Sequence, residues 1–306
     1  MKVIQLNLDS PNAFPDGCVL TQGTFDGIHL GHCELLRQVI EAGQKLGLPT
    51  VLLTFKPHPA MVLRPSRRIP LLTVFDEKTS ILEKIGLDYM ALFEFNTQLA
   101  ILQAEDYVRE ILAGKFGAKV VVVGYNHTFG RKREGNGRFL EEIATKYGFE
   151  AKIQTPVLYE NEPVHSSRIR KELFEGRFRS AMTMLNRPYR ISGEVVKGRG
   201  VGRGLGYPTI NVRAHKDKLI PMSGVYAAKV RINGNWLPGM MYIGEDRSIF
   251  DFEVAIFDFE GDMYHRQVDV DIFDRTRDSI KFESADKLVV QIAKDEKEIR
   301  DILSRT

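Results

Sequence analysis

The sequence predicts two domains: a doubly wound α/β domain with a parallel sheet, then a small antiparallel β-barrel with a C-terminal helix. Three observations carry this expectation. Continuous apolar runs alternate with amphipathic stretches in the first half, the pattern of strands buried on both faces and of helices that cover them. After about Tyr189 the helical pattern gives way to short strand candidates separated by turn residues. The length of 306 residues exceeds the usual size of one domain.

The elements follow in order. Strands are expected at residues 19–20, 51–54, 90–93 and 120–123, and helices at 34–46, 75–85 and 105–116. The barrel strands are expected at 191–196, 209–212, 224–232, 236–242, 250–259 and 263–273. Asn233-Gly234 and Glu260-Gly261-Asp262 read as hairpin turns. Residues 284–303 read as a closing helix with Leu288, Ile292, Ile299 and Ile302 on its apolar face. Asn186-Arg187-Pro188 marks the boundary, giving domains 1–186 and 187–306.

Hydrophobic residues at 43% and charged residues at 27% describe an ordinary globular chain. A net charge of +3 is too small to make nucleic acid or a membrane surface the main partner. No apolar run is long enough to span a bilayer, and the start lacks the apolar region of a signal peptide. Cys18 and Cys33 are the only cysteines and lie outside any metal-ligand spacing, so a reducing cytoplasm is expected.

Gly23-Thr24-Phe25-Asp26-Gly27-Ile28-His29-Leu30-Gly31-His32 carries the most chemistry. It follows the strand at Val19-Leu20 and opens a helical pattern through Leu35, Leu36, Val39 and Ile40. Unsatisfied N–H groups and the dipole at a helix N-terminus favour anions, and His29 and His32, at i and i+3, can face one ligand. This suits a triphosphate. Val164-His165-Ser166-Ser167-Arg168-Ile169-Arg170 opens a second helix, with Ser166 or Ser167 as its N-cap and Arg170 as a forked donor for phosphate oxygens.

Two further loops follow strands. Gly124-Tyr125-Asn126-His127-Thr128-Phe129-Gly130 continues into Arg131-Lys132-Arg133, a cluster that reads either as attracting a phosphate or as a solvated basic loop. Thr54-Phe55-Lys56-Pro57-His58-Pro59 is aromatic and basic.

In the second half, glycines 198, 200, 202, 204 and 206 lead into Tyr207-Pro208-Thr209-Ile210-Asn211. Their spacing never matches a dinucleotide fingerprint, and a strand follows, so a flap over phosphates is the better reading. Thr209 and Asn211 share a strand face and together suit Mg²⁺, which keeps waters and shares ligands with phosphates. Glu253, in an otherwise apolar strand pattern, is either a solvent-facing edge residue or a base for an acceptor hydroxyl.

The first half resembles the class I nucleotidyltransferases, with a Rossmann-like fold. Gly23–His32, Thr54–Pro59, Gly124–Gly130, Ser166–Arg170, Gly206–Asn211, Gly224-Val225-Tyr226 and Phe252–Phe259 together resemble the bifunctional bacterial riboflavin kinase/FMN adenylyltransferase family, the FAD synthetases. That resemblance implies an N-terminal domain that adenylylates FMN and a C-terminal barrel that phosphorylates riboflavin. It implies that His29 and His32 stabilise the adenylyl-transfer transition state. Gly23, Phe25, Asp26, Asn126, Ser166, Ser167 and Arg170 would hold ATP. Phe55, His58, Asn126 and Arg131 would contact the flavin. In the barrel, Gly202, Gly206 and Thr209 would line the ATP phosphates, Thr209 and Asn211 would bind Mg²⁺, and Glu253 would be the base.

The resemblance further implies riboflavin, FMN, FAD and ATP as substrates and products, with Mg²⁺ as cofactor. The chain is expected to be a cytoplasmic monomer or weak homo-oligomer. It departs from the family pattern in two places. His165 replaces a serine, and Tyr242-Ile243-Gly244-Glu245-Asp246-Arg247-Ser248-Ile249 is shorter than the family's segment and lacks its Pro-Thr. The second departure sets up an alternative, an adenylyltransferase with an impaired kinase barrel.

Overall fold

The apolar runs of the first half form one parallel sheet. A computed structural model describes every residue except 64, 65, 67, 68, 199, 200 and 205 and the side chains of Val201 and Arg203. Its strands are β1 (Lys2–Leu6), β2 (Cys18–Gln22), β3 (Thr50–Lys56), β4 (Tyr89–Glu94), β5 (Ala118–Gly124) and β6 (Glu150–Gln154), in the order β1-β4-β3-β2-β5-β6. The strand sequence reverses direction across the sheet between β2 and β5. In doubly wound sheets, that switch point is where a crevice opens beyond the strands' carboxyl ends.

Two core layers sandwich the sheet. On one face Val19, Leu52, Met90 and Val122 pack with Leu35, Leu36 and Val39 of α1 (Leu30–Leu46) and Leu82 of α2 (Phe75–Ile85). The other face carries Leu20, Leu53, Phe93 and Val121 against Tyr107, Ile111 and Phe116, from the α-helical turn Ala104–Tyr107 and the π-helical stretch Val108–Lys115 that continues it. The expected helix at 105–116 is thus present, wound as a π-helix over most of its length. Strands β1 and β6 were not expected; both are edge strands, and β6 reads Glu-Ala-Lys-Ile-Gln, too polar to register as a buried run.

In the second half, β7 (Tyr189–Val196), β8 (Thr209–Ala214), β9 (Gly224–Ile232), β10 (Asn235–Ile243), β11 (Phe252–Ile256) and β12 (Gln267–Arg277) close into a barrel in the order β7-β8-β11-β10-β9-β12. Asn233 and Gly234 both have positive φ and form the β9–β10 hairpin turn, as their sequence demands. Glu260-Gly261-Asp262 does not join paired strands: β11 pairs with β8 and β10, and β12 with β7 and β9. Local turn chemistry bends a chain without choosing its partner, and closure of the barrel chose differently here.

The closing helix, Ala285–Leu303, is capped by Ser284, whose hydroxyl accepts from Lys287 N. Ile299 and Leu303 pack on Val225, Ala227, Met240 and Ala255 of the barrel's outer face, with Ile292 and Ile302 at the margin. Arg277 of β12 clasps the helix through the buried Asp295, at 3.0 and 2.6 Å.

By compactness the chain divides into Met1–Ile69 with Phe75–His165, and Pro70–Val74 with Ser166–Thr306. The helices α3 (Ser166–Phe174) and α4 (Phe178–Leu185) therefore belong with the barrel. So does the strap Pro70–Val74. Leu71 N donates to Asp217 O at 2.7 Å, and Leu219 N to Leu71 O at 2.8 Å. The Lys218 ammonium donates to Leu72 O at 2.7 Å and sits 4.3 Å above the Tyr189 ring. Among the described residues, no helix is long and apolar enough to cross a membrane.

Leu72 is fully buried in this strap. Leu72→Ala is expected to destabilise the second unit by about 2–5 kcal/mol, the usual cost of a cavity left by a truncated core leucine. Denaturant unfolding measures it, and a shift under about 0.5 kcal/mol, the scale of an ordinary surface substitution, would show that the strap is not part of that unit's core.

Candidate active sites

The turn after β2 is built against the backbone's own preference. Phe25, Gly27 and Ile28 have φ of 45°, 87° and 37°. For Phe25 and Ile28 this costs on the order of 1–3 kcal/mol each. Phe25 is 3% exposed and Ile28 fully buried in the α1-side core. Such burial contributes about 1.5–3 kcal/mol per side chain, enough to offset the strain.

The turn delivers His29 to the N-cap of α1, where its Nδ1 accepts from His32 N at 3.4 Å. A neutral imidazole that accepts at Nδ1 carries its proton on Nε2. The His29 and His32 rings stack at 3.7 Å, and Phe25 stacks on His32 at 4.5 Å. Gly31 leaves room for this: a Cβ there would lie 3.3 Å from the His29 ring. The expected helix start at residue 34 moves back to Leu30 because His29 supplies the cap. Asp26 is buried at 2% exposure.

Lys78 of α2 was not singled out in the sequence. Its ammonium donates to the Thr24 carbonyl at 2.6 Å and so holds the turn from outside. Burial pushes its pKa down, and the Asp26 carboxylate opposes that shift. The available signal was a lysine on the apolar stripe of α2, at i−4 and i−7 from Leu82 and Ile85.

Beyond β3, Phe55 packs edge-on to Phe95 at 5.6 Å, and His58 Nδ1 accepts from Ala60 N at 3.1 Å. Beyond β5, Asn126 is exposed on a turn closed by His127 N donating to Gly124 O at 3.0 Å. Residues 131–133 form an exposed turn, with Arg131 N on Leu102 O at 2.7 Å and Arg133 Nε on Thr128 Oγ1 at 2.9 Å. The structure thus brings Gly23, Phe25, Asp26, His29 and His32 together in one turn and places Asn126 and Arg131 on the loop after the neighbouring strand.

Ser166, Ser167 and Arg170 lie in the second unit, on α3. The helix begins at Ser166, so both serines lie at its first turn. Arg170 Nε donates to Pro70 O at 2.9 Å, which ties this arginine to the strap.

In the barrel, register sets Asn211 opposite Glu253, and Glu253 opposite Tyr242. Alternation along the strands turns this row to the outer face, with Ala255 and Val225, beside the closing helix. Thr209 Oγ1 donates to Glu253 Oε2 at 3.1 Å. Burial raises the Glu253 pKa, and the Thr209 bond partly opposes it. A Cβ on Gly198 would overlap the Asn211 amide, and one on Gly202 would overlap Tyr207 O and sit 3.4 Å from Thr209 Oγ1. Gly198 and Gly202 therefore lie directly against the two residues expected to bind metal, while Gly206, exposed with φ 81°, turns the chain into β8. Arg199, Gly200 and Leu205 of the glycine segment lie outside the described residues.

A hydroxyl, an amide and a nearby carboxylate are a hard oxygen set that fits Mg²⁺ bound mainly through water and phosphate. Among the described residues, no group of three or more His, Cys, Asp or Glu forms a metal cage. In the shortened loop, Arg247 donates to Gly244 O at 3.2 Å and Pro221 O at 3.1 Å, so the segment is anchored.

His127 Nε2 is buried, and burial together with the Arg133 charge lowers its pKa to about 4. The folded chain therefore keeps His127 neutral while the unfolded chain protonates it. That contribution to stability is complete above about pH 6.5 and is lost as pH falls towards 4. NMR titration of the imidazole is expected to give a midpoint near 4; a midpoint above 6 contradicts the burial.

The FAD synthetase family model matches residues 12–168 and the riboflavin kinase model residues 185–303. The bifunctional riboflavin kinase/FMN adenylyltransferase of Listeria monocytogenes is 35% identical over 94% of this chain and 93% of its own. The Escherichia coli K12 protein of the same name is 32% identical over 100% and 99%. A Streptococcus pneumoniae crystal structure titled a macrolide-efflux protein superposes with a TM-score of 0.89 at 32% identity, over 98% of this chain and 99% of that one. With both family models matched in order and relatives aligned across nearly its whole length, the chain belongs to the bifunctional riboflavin kinase/FMN adenylyltransferase family.

Proposed function

We propose that this protein makes FAD from riboflavin in two ATP-dependent transfers, the barrel forming FMN and the α/β domain adenylylating it. The observation that carries the reading is the presence of two separate, chemically distinct constellations: the stacked His29–His32 pair on the first unit and the Thr209–Asn211–Glu253 cluster on the second. The functional division is placed at residues 1–186 and 187–306, so that α3, with Ser166, Ser167 and Arg170, serves the first reaction.

In the kinase step, Glu253 accepts the proton of the riboflavin 5′-hydroxyl as its oxygen attacks the γ-phosphorus of ATP, and ADP leaves. Thr209 orients the Glu253 carboxylate. Asn211 and Thr209 would hold Mg²⁺, which neutralises phosphate charge when bound. Gly202 and Gly206 let the chain pass close over the phosphates.

In the adenylyl step, a phosphate oxygen of FMN attacks the α-phosphorus of ATP and pyrophosphate leaves. His29, through Nε2–H, and His32 meet the charge that builds on the phosphate oxygens; Arg170, Ser166 and Ser167 hold the departing phosphates. Gly23, Phe25, Asp26 and Asn126 shape the nucleotide side, and Phe55, His58, Asn126 and Arg131 the flavin side. Mg²⁺ is assigned to this step as well. The adenylyltransferase-only alternative is not favoured: the riboflavin kinase model spans the shortened loop. In keeping with two free thiols, we place the protein in the cytoplasm as a monomer or weak homo-oligomer.

Two crossed variants test the division of labour. The double variant His29→Ala/His32→Ala is expected to lose FAD formation from supplied FMN by a factor of about 10³ or more while keeping riboflavin phosphorylation. Glu253→Gln is expected to lose FMN formation by about 10²–10⁴ and keep adenylylation. Equal loss of both activities in either folded variant contradicts separate sites. The raised Glu253 pKa adds a pH signature, because the base works only when ionised. FMN formation is expected to fall with acid through an inflection above the ordinary carboxylate value of 4.5; a rate that stays level down to that pH rules out Glu253 as the base.

A further inference from the structure

Gln22 ends β2 at the switch point, immediately before the histidine turn, and is 3% exposed. Its Oε1 accepts from the Tyr107 hydroxyl at 2.6 Å. Tyr107 is itself buried, and burial holds its phenol far above the ordinary range, so the hydroxyl keeps its proton and donates it. That bond fixes the carboxamide: the oxygen faces Tyr107, and the NH₂ group faces the other way. There Nε2 is buried with no acceptor among the described residues. A buried amide donor without a partner is among the costlier defects a core can hold, and an apolar residue of similar size would remove it.

The surroundings define what would complete it. Gln22 stands opposite Leu53, so it shares a sheet face with Leu53 and Phe55. On the same face the Tyr107 and Phe129 rings meet at 5.4 Å, and His127 stacks on Phe129 at 5.9 Å. His127 is neutral, and the rest of this wall is apolar and mostly aromatic. A flat uncharged ring with an acceptor at its edge suits such a wall, and a triphosphate does not.

We propose that Gln22 Nε2 donates a hydrogen bond to a carbonyl oxygen or ring nitrogen of the isoalloxazine of FMN, making Gln22 a specificity residue for the adenylyl acceptor. This rests on the adenylyltransferase reading above. Tyr107 is the positioning residue, because it decides which end of the carboxamide meets the flavin.

The test uses the full-length chain with Gln22→Met, which keeps the volume and removes the donor. KM for FMN is expected to rise about tenfold, with KM for ATP changed by less than about twofold and riboflavin phosphorylation unaffected. A wild-type chain that fails to adenylylate FMN overturns the functional reading itself. An active wild type with unchanged KM for FMN in Gln22→Met overturns only the role of Gln22, as does a parallel rise in KM for ATP. If Gln22→Met does not fold, Tyr107→Phe serves instead, since it frees the carboxamide to turn. A several-fold rise in KM for FMN at preserved kcat supports the proposal, and no change overturns it.

Discussion

The left-handed backbone of Phe25, Gly27 and Ile28 is the constraint on which the first half of the molecule depends. A parallel strand leaves the sheet at Gln22, and a helix must begin within a few residues on one face of that sheet. Phe25, Gly27 and Ile28 make the turn only by adopting positive φ, and the core holds the two apolar ones there by burying them. Lys78 adds an outer tether on the Thr24 carbonyl. The reward is positional. His29 becomes the cap, its Nδ1 is committed to the helix, and both imidazoles are aligned over the sheet's carboxyl edge.

The second half solves a related problem without a helix N-terminus. Its groups lie on the outer face of a closed barrel, where strand alternation and register put Asn211, Glu253 and Thr209 in one patch. Glycine is used here for proximity: Gly198 and Gly202 lie so close to Asn211 and Tyr207 that no Cβ fits. The closing helix covers the rest of that face and is locked by the Arg277–Asp295 pair. A half-desolvated carboxylate results, whose raised pKa suits a base better than that of an exposed glutamate.

Much of this was legible in the residues. The four apolar runs became strands, the Phe75–Ile85 helix appeared with the expected bounds, and Asn233-Gly234 made its hairpin. Periodicity and turn chemistry are local, and they were read where they are strong. What they missed is non-local. Edge strands β1 and β6 gain their identity only by pairing, and the strap Pro70–Val74 joins the barrel unit through distant partners, as in the Leu72–Lys218 bond across 146 residues. Glu260-Gly261-Asp262 marks a bend but not a strand pair, for the same reason. Of the site, the histidine turn and the Thr209–Asn211–Glu253 cluster could be named from motifs. Lys78 and Gln22 could not, because each matters through one atom whose partner lies far away along the chain or is missing among the described residues.

The central claim is that one chain carries both transfers, in sequence, on separate sites. A time course with riboflavin, ATP and Mg²⁺, with the flavins resolved chromatographically, tests it most directly. The account predicts that FMN rises first and FAD follows at its expense, with FAD also formed when FMN alone is supplied. No FMN from riboflavin, or no FAD from supplied FMN, would contradict it.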